Sequence, residues 1–546
     1  MKHIFLAAAA CALMSATLQA AVVSGKITSD GKGVAGVPVS DGITVVTTDA
    51  TGNYSINTDK KLGYVFYTLP SGYEPTVAGA PCEPAIWAHL APGESDEVHN
   101  FEIRPVDNRR FDLVVITDVH LADRADDLQQ FHEGFMTRIK DFVAASEVPV
   151  YTVALGDLSW DRYWYEREYG PAQFMATLRE EEYPTLFFPV TGNHDNDPAA
   201  EPGTGKTDFE AAAVFRKNFA PSYYSFNLGD AHVVVIDDII YKNERDPGRK
   251  YAKGVAGSRN YDDAINEEQM EWLRQDLALV DKNKPLIVCT HIPVWRTSFD
   301  GKFTERATLG TDGEDSEKLA GMMKDFSKVR FLTGHTHYNA HTSAPGYPNI
   351  AEDNVSALCT QFWNTKAVGG RMICSDGSPS GFKVYSFDGP DFSSRFEAVE
   401  EIDRQPFRVY DLNTVKAVYA TDSVYRMLVE KHPARTDYAG YDDNMVLINV
   451  FDYQPGYAIT VEEDGKTLSV ERVTADDPLA ISVYVAPVIR KTGRVGSKDA
   501  CRPNNHMFAV RAETADKPVT ITVTDPYGRT ATQILNRPKT FHNQMQ

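Results

Sequence analysis

The 546-residue sequence lacks any excess of basic charge. Its 55 Lys and Arg stand against 76 Asp and Glu, a formal net charge of −21. No basic face is offered to nucleic acid or anionic lipid, so neither is an expected partner. An anionic substrate is not excluded, because bound divalent cations reverse the sign locally. Long apolar runs are also lacking. After the first twenty residues no stretch reaches the ~18 apolar residues a membrane span needs, so no transmembrane helix is expected. There is no internal repeat and no low-complexity tract. Cysteine is scarce, at six residues. Cys289, inside Leu286-Ile287-Val288-Cys289, reads as a small buried core residue. Cys359 with Cys374 is the one pair considered for a disulfide, with the connectivity open.

What is present starts with a leader. Lys2 and His3 form a short polar start, Ile4 to about Ala16 is apolar, and Leu18-Gln19-Ala20 offers a small residue for cleavage. Residues 1–20 therefore read as a signal peptide and the chain as exported. Residues 21–106 alternate in short strands broken at Ser29-Asp30-Gly31 and Asp41-Gly42, the pattern of an N-terminal β-sandwich. From 107 to 400 strands alternate with helices, an α/β (α+β) texture. Leu128, Phe131, Phe135, Ile139 and Phe142 share one helical face; Phe209 to Phe219 reads as a helix; Asn266 caps another, whose apolar face holds Met270, Leu273, Leu277 and Val280. Residues 401–546 read as a β-rich domain, with strands predicted at Met445–Val450, Ile481–Val485 and Val519–Thr524.

Five short polar motifs each close one predicted strand of the middle region: Asp118-Val119-His120, Gly156-Asp157, Gly192-Asn193-His194-Asp195, Thr290-His291 and Gly334-His335-Thr336-His337. The carboxyl ends of strands are where open α/β sheets bind ligands. Together the motifs offer carboxylate, amide and imidazole donors enough for two metal ions of the Zn, Fe or Mn kind. The glycines before Asp157, Asn193 and His335 allow tight turns there. Asp-x-His alone has no value, since about one copy is expected by chance. A second copy, Asp230-Ala231-His232, precedes its strand and lies at the wrong sheet edge. The whole ordered set is far more specific.

The five motifs resemble those of the calcineurin-like metallophosphoesterase superfamily, over roughly residues 110 to 390. The resemblance implies a four-layer sandwich, flanked here by the two β-domains, with a dinuclear metal centre at the strand ends. Carried over residue by residue, one divalent ion (Mn, Zn or Fe) is held by Asp118, His120, Asp157 and His337. The other is held by Asp157, Asn193, His291 and His335, with Asp157 bridging. A metal-activated hydroxide then attacks a phosphate mono- or diester, while His194 assists the leaving group and Asp195 orients His194. Purple acid phosphatases within the superfamily carry Asp-x-Gly and a tyrosine three residues after the second-motif Asp. Here those positions are His120 and Trp160, which argues against a tyrosinate–iron centre.

Trp160 and Asp161, just after motif two, and Trp295, after His291, are candidates with Asn193 for contacting substrate. His341 reads as solvated, and Asp376 to Gly381 as a structural turn. The flanking domains resemble those of envelope phosphoesterases, which implies the periplasm or cell surface of a Gram-negative bacterium and a small-molecule or envelope phosphoester as substrate. The competing reading is a non-catalytic metal-binding scaffold whose β-domains bind glycan or protein.

Overall fold

Short apolar runs give the strands of two sheets at the middle of the chain, and the computed structural model describes residues 21–433, 437–495 and 503–545. The leader segment, with Cys11, and Cys501 lie outside these residues. The first central sheet is ordered Leu186–Pro189, Val150–Ala154, Arg110–Ile116, Gly381–Asp388, Asp391–Ala398. Its first three strands run parallel, with Ile116 paired to Ala154 and Ala154 to Pro189, so their carboxyl ends are level. The second sheet is ordered Tyr224–Leu228, Ala231–Val235, Leu286–Cys289, Val329–Thr333, Ile350–Asn354, Ala340–Ser343. Its central strands are parallel too. Strands buried on both faces need no polar alternation, which is why they read as continuous apolar runs.

The sheets pack face to face through stacked pairs such as Phe188 on Phe226, 4.0 Å between centroids. The helical stretch from Asp127 to Ala145 covers the outer face of the first sheet, with Phe135 and Phe142 edge-on to Phe382. The helix Glu267–Ala278 covers the second. It begins where Asn266 accepts the Gln269 N–H at 2.8 Å, and Asp276 reaches the sheet to bond Ser225 and His232. Helix, sheet, sheet, helix is the four-layer α/β order expected. Residues 21–105 form two small antiparallel-rich sheets that hydrogen-bond onto the second central sheet at Leu69, Asn227 and Thr68–Ser225. The C-terminal part holds two four-stranded sheets. It is tied to the core by Asn449, Asn504 and His506 around Asp376, whose carboxylate also accepts the Asn339 N–H.

Several local expectations need correction. Ile481–Val485 is helical, within one helical stretch from Pro478 to Thr492. Asp477 accepts the Ala480 N–H and Pro478 follows it, a helix start that outweighs the β-branched alternation. The helix read from Phe209 to Phe219 is two short ones, Thr207–Ala211 and Ala213–Asn218. Cys359 and Cys374 are free, buried thiols and form no disulfide. His341 is not solvated: its Nδ1 lies 2.7 Å from Asp353, a buried carboxylate that also faces Arg330 and Lys383. His232 of the second Asp-x-His copy bonds Asp276 and Asn227, as befits a structural histidine.

Candidate metal centre

Because the parallel strands end level, five turns from two sheets converge. Their backbones are stitched together, with Asp118 N–H to Gly156 C=O, His120 N–H to Asp157 C=O, and Gly334 N–H to His291 C=O. Gly156 is needed for its positive φ of 89°, and Gly192 for close approach: a Cβ there would sit 2.1 Å from the Asp157 nitrogen. Five donor-bearing residues, Asp118, His120, Asp157, His335 and His337, themselves have φ between 48° and 68°. Left-handed backbone costs a non-glycine residue roughly 1–2 kcal/mol. Such strain persists where a side chain is needed at that point, and it clusters at functional sites.

The two carboxylates divide their oxygens alike. Asp157 Oδ1 accepts the His194 N–H at 2.7 Å, and Asp118 Oδ2 accepts the His335 N–H at 2.8 Å and the Thr117 hydroxyl. Each thereby pins a ligand-bearing turn and turns its other oxygen inward. Asp157 Oδ2 lies 3.4 Å from His120 Nε2 and 3.3 Å from His291 Nε2. Asp118 Oδ1 lies 3.2 Å from His337 Nε2 and 3.6 Å from His120 Nε2. The two imidazole nitrogens of His120 and His337 are 3.3 Å apart. On the other side Asn193 Oδ1 is 3.1 Å from His291 Nε2 and 2.9 Å from His335 Nδ1.

These spacings can be tested against coordination chemistry. Metal–ligand bonds of about 2.0–2.2 Å imply tetrahedral edges of ~3.3–3.6 Å, close to the separations found. Asp118 Oδ1 is buried and lacks a hydrogen-bond partner, an expense of about 1–3 kcal/mol unless a cation meets it. His291 and His337 each place Nδ1 at a carbonyl, Leu155 at 2.7 Å and Thr360 at 2.8 Å, so Nε2 presents its lone pair to the cage. Burial works against charge on Asp118 and Asp157, but the facing imidazoles hold both well below the usual carboxylate range. The donor set fits a divalent metal centre: two groups, Asp118–His120–Asp157 and Asp157–His291–His335, share Asp157, and a third joins His120 and His337 to the buried thiol of Cys359, which no sequence motif placed at the site.

Two expected roles change. Asp195 does not touch His194. It accepts backbone N–H groups of Leu158, Ser159 and Gly192, and so ties motif two to motif three. The carboxylate beside His194 is Asp161, 2.7 Å from Nδ1, which also takes Arg259 Nη1 at 2.7 Å. Asp161 is 1% exposed, so it faces His194 and not the substrate side. Burial opposes protonation of His194, but the charges of Asp161 and Asp157 outweigh it and raise the imidazole pKa. Trp295 turns into the core, edge-on to Phe331, and its backbone N–H is bound by Glu352. Trp160 stays beside the cage, its ring 5.6 Å from that of His120 and stacked at 4.5 Å on Phe362. Phe362, 4.9 Å from the His337 ring, and Arg259 were not legible in the sequence, since neither belongs to a motif or a periodic face.

Three family models match in succession: "N terminal of Calcineurin-like phosphoesterase" over 21–106, "Calcineurin-like phosphoesterase" over 111–339, and "C terminal of Calcineurin-like phosphoesterase" over 352–530. The chain belongs to the calcineurin-like phosphoesterase family. Among curated proteins it is similar to purple acid phosphatase 13 of Arabidopsis thaliana, 27% identical over 162 residues (29% of this chain, 24% of that protein). Purple acid phosphatase 15 of the same plant is 27% identical over 186 residues, 33% of this chain and 27% of that one. The chain thus spans about a quarter of the length of these relatives. Among solved structures, GAP50, described as the anchor in the inner membrane complex of Plasmodium, aligns with a TM-score of 0.31 at 14% identity, over 54% of this chain and 85% of that one.

Proposed function

We propose that this chain is a dinuclear-metal-dependent phosphoesterase that hydrolyses phosphate mono- or diesters. The observation that carries the reading is the cage itself: seven donors, two groups, one shared carboxylate oxygen. Asp118, His120, Asp157 and His337 would hold one divalent ion, and Asp157, Asn193, His291 and His335 the other, with Mn, Zn or Fe all compatible with these donors. When bound, such a pair clamps phosphoryl oxygens and supplies an activated water.

The chain's own residues then do the following. Asp118 and Asp157 keep the two halves of the cage in register through the backbone of His335 and His194. Asp161 accepts a hydrogen bond from the His194 Nδ1–H and favours the protonated imidazole, whose Nε2–H would supply the proton that a departing alkoxide needs. Arg259 donates to the same Oδ1 of Asp161 that faces His194, and so fixes that oxygen beside the imidazole. Trp160 and Phe362 form an apolar wall next to His120 and His337.

The reading extends to organisation and location. We take 21–106 as an N-terminal domain, 107–400 as the phosphoesterase domain and 401–546 as a C-terminal domain. The leader-like residues 1–20 support an exported chain, in the periplasm or on the cell surface of a Gram-negative bacterium. No helix among the described residues is long and apolar enough to cross a membrane. The test is hydrolysis of p-nitrophenyl phosphate beside bis-p-nitrophenyl phosphate by metal-loaded protein, with His194→Ala as control. Turnover of either ester, lost in the variant, supports the reading. Full metal loading without turnover of any phosphoester would support the scaffold reading instead.

A further inference from the structure

Four buried thiols lie among the described residues, Cys82, Cys289, Cys359 and Cys374, and one of them, Cys359, reaches the cage. The segment that carries it follows the strand Ile350–Asn354 and meets the end of Arg110–Ile116 in the first central sheet. Leu358 N–H donates to the Thr117 carbonyl at 3.0 Å, and Cys359 N–H to the Asp118 carbonyl at 3.2 Å. The next carbonyl, that of Thr360, accepts His337 Nδ1 at 2.8 Å. The backbone on either side of the Cys359 side chain therefore holds Asp118 and His337, two residues assigned to the same ion. His120, His337 and Cys359 each place one donor atom within 4.8 Å of the others. Zinc bonds of about 2.0–2.1 Å to nitrogen and about 2.3 Å to sulfur imply a nitrogen–sulfur edge of ~3.6 Å, well inside that limit.

Two further features point to a ligand and not to packing alone. Asp118 Oδ1 is buried without a hydrogen-bond partner, and it faces Nε2 of both His120 and His337. A cation at that point meets oxygen, two nitrogens and the sulfur. The turn after Cys359 is also strained, since Thr360, Phe362 and Trp363 have φ of 54°, 55° and 64°. It closes with the Trp363 N–H on the Cys359 carbonyl at 2.8 Å, and the Trp363 indole N–H ties it to the Val119 carbonyl at 2.7 Å. The Phe362 N–H is thereby brought to the sulfur. Strain of this kind clusters at functional sites. As a donor the Cys359 thiol has the Thr360 carbonyl, 3.8 Å away and already bonded by His337. Cys374 supplies the contrast: equally buried, it donates to the Ala357 carbonyl at 3.5 Å and joins no ligand group among the described residues.

We propose that Cys359 is a ligand of the ion held by Asp118, His120, Asp157 and His337, and that its sulfur makes this position prefer zinc to manganese. The inference rests on the dinuclear reading of the cage and adds to it a donor and a metal preference. Coordination breaks the S–H bond: the sulfur lone pair goes to the metal and the proton to solvent. Thiolate favours zinc, whereas manganese favours oxygen donors. One sulfur thus sorts ions that the other donors all admit.

The test is the absorption spectrum of the full chain loaded with cobalt(II), for the wild type, Cys359→Ser and Cys374→Ser. The wild type and Cys374→Ser should show a sulfur-to-cobalt charge-transfer band in the near ultraviolet, and Cys359→Ser should lack it. Cobalt bound by the wild type without the band, or a band that survives Cys359→Ser, overturns the proposal. Equal thermal transitions of the metal-free wild type and Cys359→Ser guard against a folding artefact. A band kept in Cys374→Ser assigns the sulfur without that variant, because no other thiol among the described residues joins a ligand group. Competition between zinc and manganese, read as metal content by mass spectrometry, is the second measurement. The zinc-over-manganese ratio should fall at least about tenfold in Cys359→Ser; an unchanged ratio overturns the metal preference. The phosphoesterase reading is judged separately. A band lost in Cys359→Ser, with no turnover of either p-nitrophenyl ester by the zinc-loaded wild type, leaves the sulfur ligand standing and counts against the phosphoesterase. Turnover by a chain whose cobalt form lacks the band does the reverse.

Discussion

Replacing Asp161 by Asn is the sharpest perturbation of the proposed proton donor, because it keeps the shape and removes the charge. The wild-type carboxylate receives two charge-assisted hydrogen bonds of 2.7 Å, from His194 and from Arg259. Bonds to charged groups contribute about 1.5–3 kcal/mol each, against about 0.5–1.5 for neutral ones. Arg259 is a quarter exposed on its side chain, so its share is screened and stability should change little. His194 bears the main effect. A correctly placed general acid is worth roughly 10²–10⁴-fold in rate, and the amide retains the position but loses the charge that stabilises the imidazolium. We therefore expect kcat to fall about 10²-fold with KM changed less than about threefold and bound metal unchanged.

The pH dependence carries a sign. The pKa of His194 lies above its ordinary value because of Asp161 and Asp157, against the effect of burial. The protonated form is lost as pH rises through that value. Without the Asp161 charge the alkaline limb of the kcat profile must move to lower pH. The paired control is Asp195→Asn, which sets an amide NH2 against the Gly192 N–H or the Leu158 and Ser159 N–H groups. It should cost about 1–3 kcal/mol of stability and shift no limb. Steady-state kinetics from pH 5 to 9 (a range chosen around the ordinary histidine pKa of about 6.5) with thermal unfolding of both variants decides the matter. An unshifted limb in Asp161→Asn, or a shifted one in Asp195→Asn alone, would rule out Asp161 as the carboxylate that holds His194 protonated.

Three further outcomes are expected. Gly192→Ala would bring a Cβ within 2.1 Å of the Asp157 nitrogen and 2.3 Å of its Oδ1, so motifs two and three must separate; metal content by mass spectrometry should fall below that of the wild type. Chelation leaves Asp118 Oδ1 buried and unpartnered, and should lower the thermal transition. Each ion present at a hundred times its Kd accounts for about 2.7 kcal/mol, so a transition unmoved by chelator and by added Mn would count against the cage. Asp353→Asn removes the carboxylate facing Arg330, Lys383 and His341 and should destabilise by about 3–5 kcal/mol in urea unfolding. The folded pKa of Asp353 is depressed, against burial, chiefly by Arg330 and Lys383. Its contribution is therefore full above the ordinary carboxylate pKa of about 3.9 and is lost only as pH falls towards the lower folded value.

Much of the site was legible because its donors lie next to strand ends. Apolar runs such as Leu286–Cys289 fix where a strand stops, and parallel pairing brings the stops together, so Asp118, Asp157, Asn193, His291 and His335 had to meet. Roles that depend on side-chain direction were not legible. Asp195 adjoins His194 in sequence, yet successive residues in a tight turn point apart, and Asp195 went to three backbone amides. Asp161 and Arg259 reach His194 from other segments, and no spacing rule connects residues 161, 194 and 259. The positive φ values of Asp118, His120, Asp157, His335 and His337 were equally invisible. Nothing in a residue's identity reports strain that the surrounding fold imposes. In the C-terminal part, Ile481–Val485 shows the limit of alternation as a signal, since a helix buried on every side carries the same apolar content as a strand.

The central claim is that the five turns form one cage for two cations bridged by Asp157. Its most direct test is the number of divalent ions bound per chain at saturation, measured by equilibrium dialysis against Mn for the wild type and for Asp157→Ala. Two ions are expected in the wild type and fewer than one tightly held in the variant, because Asp157→Ala removes the Oδ2 that faces both His120 and His291. A single ion in the wild type, or two ions retained without Asp157, would contradict it.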